Sequence, residues 1–305
     1  MPLQKVDKIW MDGQLVDWDD ARIHVLTHSL HYGCGVFEGI RAYETKDGPA
    51  VFRLTDHITR LFNSAKIFMI DVPFTAEQLV EATKETVRVN KLNSCYIRPL
   101  VYLGYGEMGL NTLPCEVDVA IACWPWGAYL GDDALTKGVR MKISSWFRHD
   151  HNIMPPAAKT TGNYVNSSLA KVEALKAGYD EAILLNRAGM VAECTGENVF
   201  VVRHGTIITP PLTSGALEGI TQSSVMAIAR DFGFECKVGE LARSDLYIAE
   251  EMFVCGTAAE VSAVNSVDDR AIPCPGPITK AIADEYAKAV RGQVDRYKEW
   301  VEHVG

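Results

Sequence analysis

The spacing of apolar residues changes period several times along the chain, and each change predicts an element. In "KIWMDGQLV" two short apolar runs flank Asp12-Gly13, the residue pair that tight hairpin turns favour, so the chain opens on a pair of strands. In "DHITRLFNSAKIF" apolar residues recur at Ile58, Leu61, Phe62, Ala65 and Phe68, the period of a helix over 56–68 with Asp56 as its N-cap. "AEQLVEATKETVRVNKL" repeats that pattern, whereas "SCYIRPLVYLGY" and "EVDVAIACWPW" are β-branched and apolar runs of strand length. Further on, "RMKISSW" reads as a strand, "VNSSLAKVEALKAG" as a helix ended by Gly178, and "EAILLN" and "NVFVVRHGTIITP" as a strand and a hairpin. "TQSSVMAIARDFG" and "ITKAIADEYAKAVRGQV" are further helices.

Strands and helices alternate too irregularly for a regular βαβ array, which predicts an α+β fold. Pro, Gly and Asp interrupt the pattern in "WPWGAYLGDDALTKG", residues 124–138. That places a boundary near Gly131, between a smaller N-terminal domain over 1–130 and a larger C-terminal domain over 131–305. No internal repeat or low-complexity tract interrupts either half.

Composition excludes several partners. The 305 residues are 48% hydrophobic and 23% charged, enough apolar sequence for two cores. Against 39 acidic residues stand 30 Lys and Arg, a net charge of -9 with no basic run, so neither nucleic acid nor an anionic membrane is expected as a partner. The eight cysteines are scattered singly without a CxxC pair, and read as buried thiols in a reducing compartment with no metal site. "MPLQKVDKIWMDGQ" lacks the apolar run of a signal peptide, and no stretch approaches the roughly 18 apolar residues of a membrane span. A soluble cytoplasmic protein is the expectation.

Two glycine- and histidine-rich features carry less than they promise. "HYGCGVFEGIR" spaces Gly33, Gly35 and Gly39 as GxGxxxG rather than GxGxxG, without a clear preceding strand, which argues against a dinucleotide loop. His24, His28 and His31 lack an acidic partner and read as structural histidines.

Lys159 is different. In "IMPPAAKTTGNYVN" it stands among small and apolar neighbours, so either its stem is buried in a loop or its amine is wanted inside. Desolvation disfavours an ammonium and leaves an amine able to condense with an aldehyde as a Schiff base. In "AECTGENVF", Glu193 and Glu197 flank Thr195-Gly196, where a carboxylate could hold a pyridine nitrogen protonated. "SGALEGITQSSV" presents Gly219, Ile220 and Thr221 at a helix start, a seat for a phosphate. "CGTAAE" follows the strand "EMFV" with a small-residue turn whose amides could receive a carboxylate. Arg60 and Arg98 are the arginines whose planar guanidinium would suit such anions.

With Lys159, Glu193, Gly219-Ile220-Thr221 and Gly256-Thr257-Ala258-Ala259-Glu260 in this order, the chain resembles the branched-chain amino acid aminotransferases, fold-type IV enzymes dependent on pyridoxal 5'-phosphate (PLP). The resemblance runs over nearly the whole chain, through "VFRLTDHITRLFNSAKI", "YIRPL", "WPWGAYLG", "PPAAKTTGNY" and "PPLTSGALEGIT". It implies two α/β domains with the cofactor site between them. Lys159 would bond the cofactor aldehyde and then move the proton between the substrate Cα and the cofactor C4′. Glu193 would pair with the pyridine nitrogen, with Tyr164 beside the phenolic oxygen and Gly196 nearby. Arg60, Gly219, Ile220, Thr221 and Thr257 would hold the phosphate.

The same resemblance implies that Thr257, Ala258 and Ala259 receive the substrate carboxylate, with Tyr96 and Arg98 near that end of the pocket. Phe37, Gly39 and Tyr129 would line the side-chain pocket, with Tyr32, Trp126, Met108 and Leu110 as further walls. "EMGL" resembles the family loop that reaches a neighbouring subunit, so a homodimer is the smallest unit expected. The implied reaction is reversible transfer of an amino group from L-leucine, L-isoleucine or L-valine to 2-oxoglutarate, in branched-chain amino acid biosynthesis. A D-amino acid aminotransferase and an aminodeoxychorismate lyase share the fold and are the alternatives. A non-enzymatic PLP-binding member would be expected to lose Lys159, Glu193 or the phosphate seat, and all are present.

Overall fold

Asp12 and Gly13 both take positive φ, 47° and 90°, the conformation that a two-residue hairpin turn demands. They turn strand β1 (Lys8–Met11) back onto β2 (Gln14–Asp17), with Met11 opposite Gln14. The computed structural model describes residues 3–127, 130 and 137–305. These fall into two units. Unit 1 comprises Met1–Trp126, Ala158–Gly162 and Ala289–Gly305, and unit 2 comprises Gly127–Ala157 and Asn163–Lys288. The boundary expected near Gly131 lies outside the described residues.

Unit 1 is built on one sheet. Its other strands are β3 (Val36–Phe37), β4 (Ile40–Thr45), β5 (Gly48–Phe52), β6 (Cys95–Leu103), β7 (Val117–Trp124) and, from the end of the chain, β17 (Val301–His303). They pair in the order β17-β5-β4-β6-β7-β1-β2, with β3 also on β6, and every pairing is antiparallel. Helices α1 (His28–Tyr32), α2 (Leu54–Ile67) and α3 (Ala76–Val89) complete the unit. Leu54, Ile58, Leu61 and Ala65 recur at helical spacing on the buried face of α2, and Leu79, Ala82 and Val87 do the same on α3. Each fully buried Leu or Ile contributes about 1.5–3 kcal/mol to holding these helices on the unit-1 core. α3 begins at a capping box, in which the Thr75 side chain accepts from Gln78 N and the Gln78 side chain accepts from Thr75 N.

The start of α2 differs from its expected form. The helix begins two residues earlier, its N-cap is Arg53 at φ 50°, and Asp56 lies in the first turn. The cause is tertiary. Arg53 N donates to Trp300 O at 2.7 Å, and Arg53 Nε binds Asp56 Oδ2 at 2.5 Å, which takes the side chain the cap would have used.

Unit 2 carries the second sheet, formed by β8 (Val139–Phe147), β9 (Glu181–Leu185), β10 (Val191–Cys194), β11 (Asn198–Arg203), β12 (Thr206–Thr209), β13 (Cys236–Val238), β14 (Glu251–Gly256), β15 (Glu260–Val267) and β16 (Arg270–Ala271). The order is β10-β9-β8-β15-β14-β11-β12-β13, with β16 on β15. The pairs β8–β9, β8–β15 and β12–β13 are parallel and the rest antiparallel, a mixed sheet that completes an α+β protein. Helices α4 (Tyr164–Lys176), α5 (Ile220–Asp231), α6 (Arg243–Tyr247) and α7 (Pro277–Ala289) belong to this half of the chain. α7 ends short of the expected run to Val294.

Candidate active site

The lysine segment is seated by backbone contacts within unit 1. Phe37 N donates to Lys159 O at 3.0 Å, Thr161 N to Gly35 O at 2.9 Å and Gly162 N to Gly33 O at 3.0 Å. Val36 and Thr160 form an antiparallel bridge, and Lys159 N donates to Ser64 Oγ at 3.0 Å. The glycines of "HYGCGVFEGIR" explain this close approach. A Cβ on Gly33 would lie 3.1 Å from Gly162 Cα, so bulk on either side would push the segment off. The stretch that mimics a dinucleotide loop is the bed of the lysine segment. Above it, Lys159 Nζ lies 5.1 Å from the centre of the Phe37 ring.

Arg60, expected at a phosphate, is engaged by a residue that sequence reasoning missed. Glu38 is fully buried and accepts from Arg60 Nε at 2.7 Å, Arg60 Nη2 at 2.8 Å and His57 Nδ1 at 2.7 Å. Burial by itself would raise the Glu38 carboxyl, but Arg60 and His57 outweigh it and hold the group well below the usual carboxylate range. Burial pushes His57 below its ordinary value, so its ring is a neutral donor to Glu38. The fork pairing uses two of the five guanidinium donors of Arg60. A glutamate inside the apolar run "GVFEGI" was the available signal.

The strand face of unit 1 assembles four of the expected substrate residues. Arg98 lies over the Phe37 ring at 4.6 Å and donates from Nη2 to the Tyr96 hydroxyl at 3.1 Å. Gly39 leaves room for that hydroxyl, since a Cβ there would stand 2.0 Å from it. Trp124 and Trp126 pack on Tyr96 with ring centres 5.2 and 5.0 Å away. Tyr32, Met108 and Leu110 are exposed, and Tyr129 lies outside the described residues. His28 and His31 each set Nε2 against a backbone carbonyl, Gly109 O and Val25 O.

Unit 2 separates the two glutamates left open by the sequence. Glu193, in β10 beside a register shift, binds Arg148 Nη2 through Oε1 at 2.6 Å and accepts from Leu217 N through Oε2 at 2.9 Å. Glu197 is buried with Glu181 nearby, and burial first and that like charge second push its carboxyl well above the usual range. Glu181 is itself held by Lys171 Nζ at 2.6 Å and Thr195 Oγ1 at 2.6 Å. Glu193 is therefore the carboxylate with a counter-charge, whereas Glu197 is buried beside a like charge. Arg148 was also missed. It ends the strand run "SSWFR" and carries no local sequence signal, because its partner is 45 residues away.

The segment expected to seat a phosphate lies at the start of α5. Gly219 is the N-cap, Ile220 and Thr221 fill the first turn, and both are buried. The seat is braced from behind, since Gln222 Nε2 donates to Thr209 Oγ1 at 2.9 Å and Asn198 Nδ2 to Leu217 O at 3.0 Å. A Cβ on Gly219 would lie 2.0 Å from Asn198 Oδ1, so the cap position accepts no side chain. The Thr257–Ala258–Ala259 turn links β14 to β15, with Glu260 at φ 52° and Ser262 Oγ donating to Ala259 O at 2.8 Å. Tyr164 is the first residue of α4, and Gly196 is the exposed tip between β10 and β11.

This chain belongs to the amino-transferase class IV family, which matches residues 35–267. Its relatives include the branched-chain-amino-acid aminotransferase of Pseudomonas aeruginosa, 46% identical over 96% of this chain and 95% of that one. The solved T.th. branched-chain amino acid aminotransferase with pyridoxamine 5'-phosphate superimposes with a TM-score of 0.96 at 49% identity, covering 99% of both chains. The same enzyme complexed with N-(5'-phosphopyridoxyl)-L-glutamate gives a TM-score of 0.95 at 48% identity, again over 99% of both.

Proposed function

We infer that the chain is a branched-chain-amino-acid aminotransferase, which uses PLP to move an amino group reversibly between L-leucine, L-isoleucine or L-valine and 2-oxoglutarate. The likeness over 99% of both chains to an enzyme solved with N-(5'-phosphopyridoxyl)-L-glutamate carries this reading. The donor set suits the cofactor: a primary amine on a small-residue segment, a charge-paired carboxylate, and a helix N-terminus whose cap position has no space for a side chain.

Lys159 Nζ is the group that holds the cofactor aldehyde and moves the proton at the substrate Cα. Bound PLP supplies an electron sink for the pair left at that carbon. Glu193 keeps the pyridine nitrogen protonated, and Tyr164 holds the phenolic oxygen, with Gly196 nearby. Arg60, Gly219, Ile220, Thr221 and Thr257 bind the phosphate. Thr257, Ala258 and Ala259 receive the substrate carboxylate through backbone amides, and Tyr96 and Arg98 are further residues assigned to the substrate. Phe37 and Gly39 serve the substrate side chain, with Tyr129 assigned to the same role by the family likeness; a methylene more or less in an apolar pocket is worth only about 1–3 kcal/mol, so several aliphatic side chains are accepted.

The working assembly is a homodimer or larger, in the cytoplasm. The exposure of Leu110, 88%, and Leu113, 72%, beside Met108 supports a partner over that loop. Among the described residues, no helix is long and apolar enough to cross a membrane.

Borohydride reduction of the purified protein, followed by peptide mapping, is expected to place the reduced cofactor on Lys159. A colourless protein that PLP does not reconstitute would overturn the reading. A panel of L-Leu, L-Ile, L-Val and D-Ala with 2-oxoglutarate tests the substrate class, and preference for D-Ala would overturn it while leaving the cofactor chemistry standing.

A further inference from the structure

We propose that Arg148 is a positioning residue for the cofactor's ring nitrogen, acting through Glu193. The proposal rests on the PLP reading above. The Arg148 and Glu193 side chains are only 6% and 8% exposed, and Nη2 meets Oε1 at 2.6 Å. Leu217 N holds the other carboxylate oxygen at 2.9 Å. Both oxygens are therefore fixed before any ligand arrives, and each retains a lone pair for a further donor.

The guanidinium is itself fixed. Arg148 Nε donates to Gly215 O at 3.2 Å and Nη1 to Ser167 Oγ at 3.4 Å, while Arg148 N donates to Leu185 O at 2.8 Å. Gly215, at φ 107°, makes room for the arginine stem, since a Cβ there would stand 3.1 Å from Arg148 Cγ. The loop before α5 and the start of α4 thus hold the guanidinium, while the end of β9 holds the Arg148 backbone, and the side chain faces Glu193.

Among the described residues, the titratable groups around the pair supply no second cation in contact with Glu193. His149 is pushed down to about 4 by burial and by Arg148 beside it, so it is neutral at neutral pH. Burial pushes the Glu197 carboxyl and the Cys194 thiol up, and neither can act as a counter-charge to Glu193. Lys171 is committed to Glu181. Arg148 is the counter-charge in contact with Glu193, and a buried carboxylate without one gives up its charge. A neutral Glu193 no longer complements a protonated ring nitrogen.

Absorbance titration with PLP on the wild type, Arg148→Gln, Arg148→Lys, Glu193→Gln and the double variant tests this, with thermal unfolding measured on each without cofactor. Arg148→Gln is expected to weaken PLP binding by about tenfold or more, and Arg148→Lys by less. In the Glu193→Gln background, Arg148→Gln is expected to add nothing further. Unchanged affinity in Arg148→Gln, or an equal loss in both backgrounds, overturns the proposal, because a structural prop acts regardless of Glu193. If Arg148→Gln does not fold, Arg148→Lys decides by the same comparison of backgrounds. A wild type that fails to bind PLP refutes the functional reading instead, before any variant is compared.

Discussion

Glu38 grips Arg60 with two hydrogen bonds of 2.7 and 2.8 Å at a position fully shielded from water. Removing one member of a buried pair leaves the other uncompensated, which costs about 3–5 kcal/mol. Glu38→Gln is expected to lower stability by that amount in urea unfolding and to weaken PLP binding, because the guanidinium loses its fixed orientation. A variant with wild-type stability would show that the pair contributes nothing net.

Acid is expected to destabilise the fold in two stages. His57 and His149 titrate below their ordinary value of 6.5 in the folded chain, His149 at about 4, so the unfolded chain takes up protons first as pH falls. Their contribution is complete above about pH 6.5 and declines towards pH 4, by at most about 1.4 kcal/mol per unit for each group and less for the partly buried His149. Glu38, depressed in the fold, adds stability that is present above its ordinary 4.5 and is lost as pH falls further. Urea midpoints between pH 7 and 4 check this, with a flatter slope expected in His149→Gln.

Gly39→Ala is expected to raise KM for amino acid and 2-oxo acid substrates with little change in PLP affinity. The new Cβ would stand 2.0 Å from the Tyr96 hydroxyl and 3.0 Å from Cζ, so the ring must turn and release Arg98. Steady-state kinetics with both substrate types would reveal it. Loss of PLP instead would mean that Gly39 serves the lysine bed.

Glu251 caps α7, accepting from Ile278 N at 3.1 Å and from Thr279 N and Oγ1 at 2.7 Å each. Negative charge at a helix N-terminus is favourable, and Glu251→Ala is expected to cost about 1–3 kcal/mol. Activity per folded molecule should be unchanged, since nothing in the proposed chemistry uses this residue. Chemical unfolding and kcat, measured on the same preparation, separate the two.

Local pattern was enough for much of this protein. The Asp12-Gly13 turn, the apolar face of α2 and the helix start at Gly219 all depend on neighbours in sequence, and the structure places them as their spacing suggests. What escaped depends on distant pairing. Asp56 reads as a cap until Trp300, from the far end of the chain, accepts from Arg53 N. Glu38 and Arg148 acquire their meaning only when the packing of α2 brings Arg60 to the one and the second sheet brings Glu193 to the other. Glu193 and Glu197 look equivalent as letters, and differ only because one meets a guanidinium and the other a second acid.

The seating of residues 158–162 against Gly33, Gly35 and Phe37 also bears on how members of this family can be recombined. A chimera joined anywhere between residues 127 and 157 would take its lysine segment from one parent and the bed of that segment from the other. Crossovers there are favoured where the parent that supplies the bed keeps glycine at position 33, since a Cβ there would lie 3.1 Å from Gly162 Cα and φ is +69°. The linear order of the gene thus places Lys159 on the wrong side of the most natural cut.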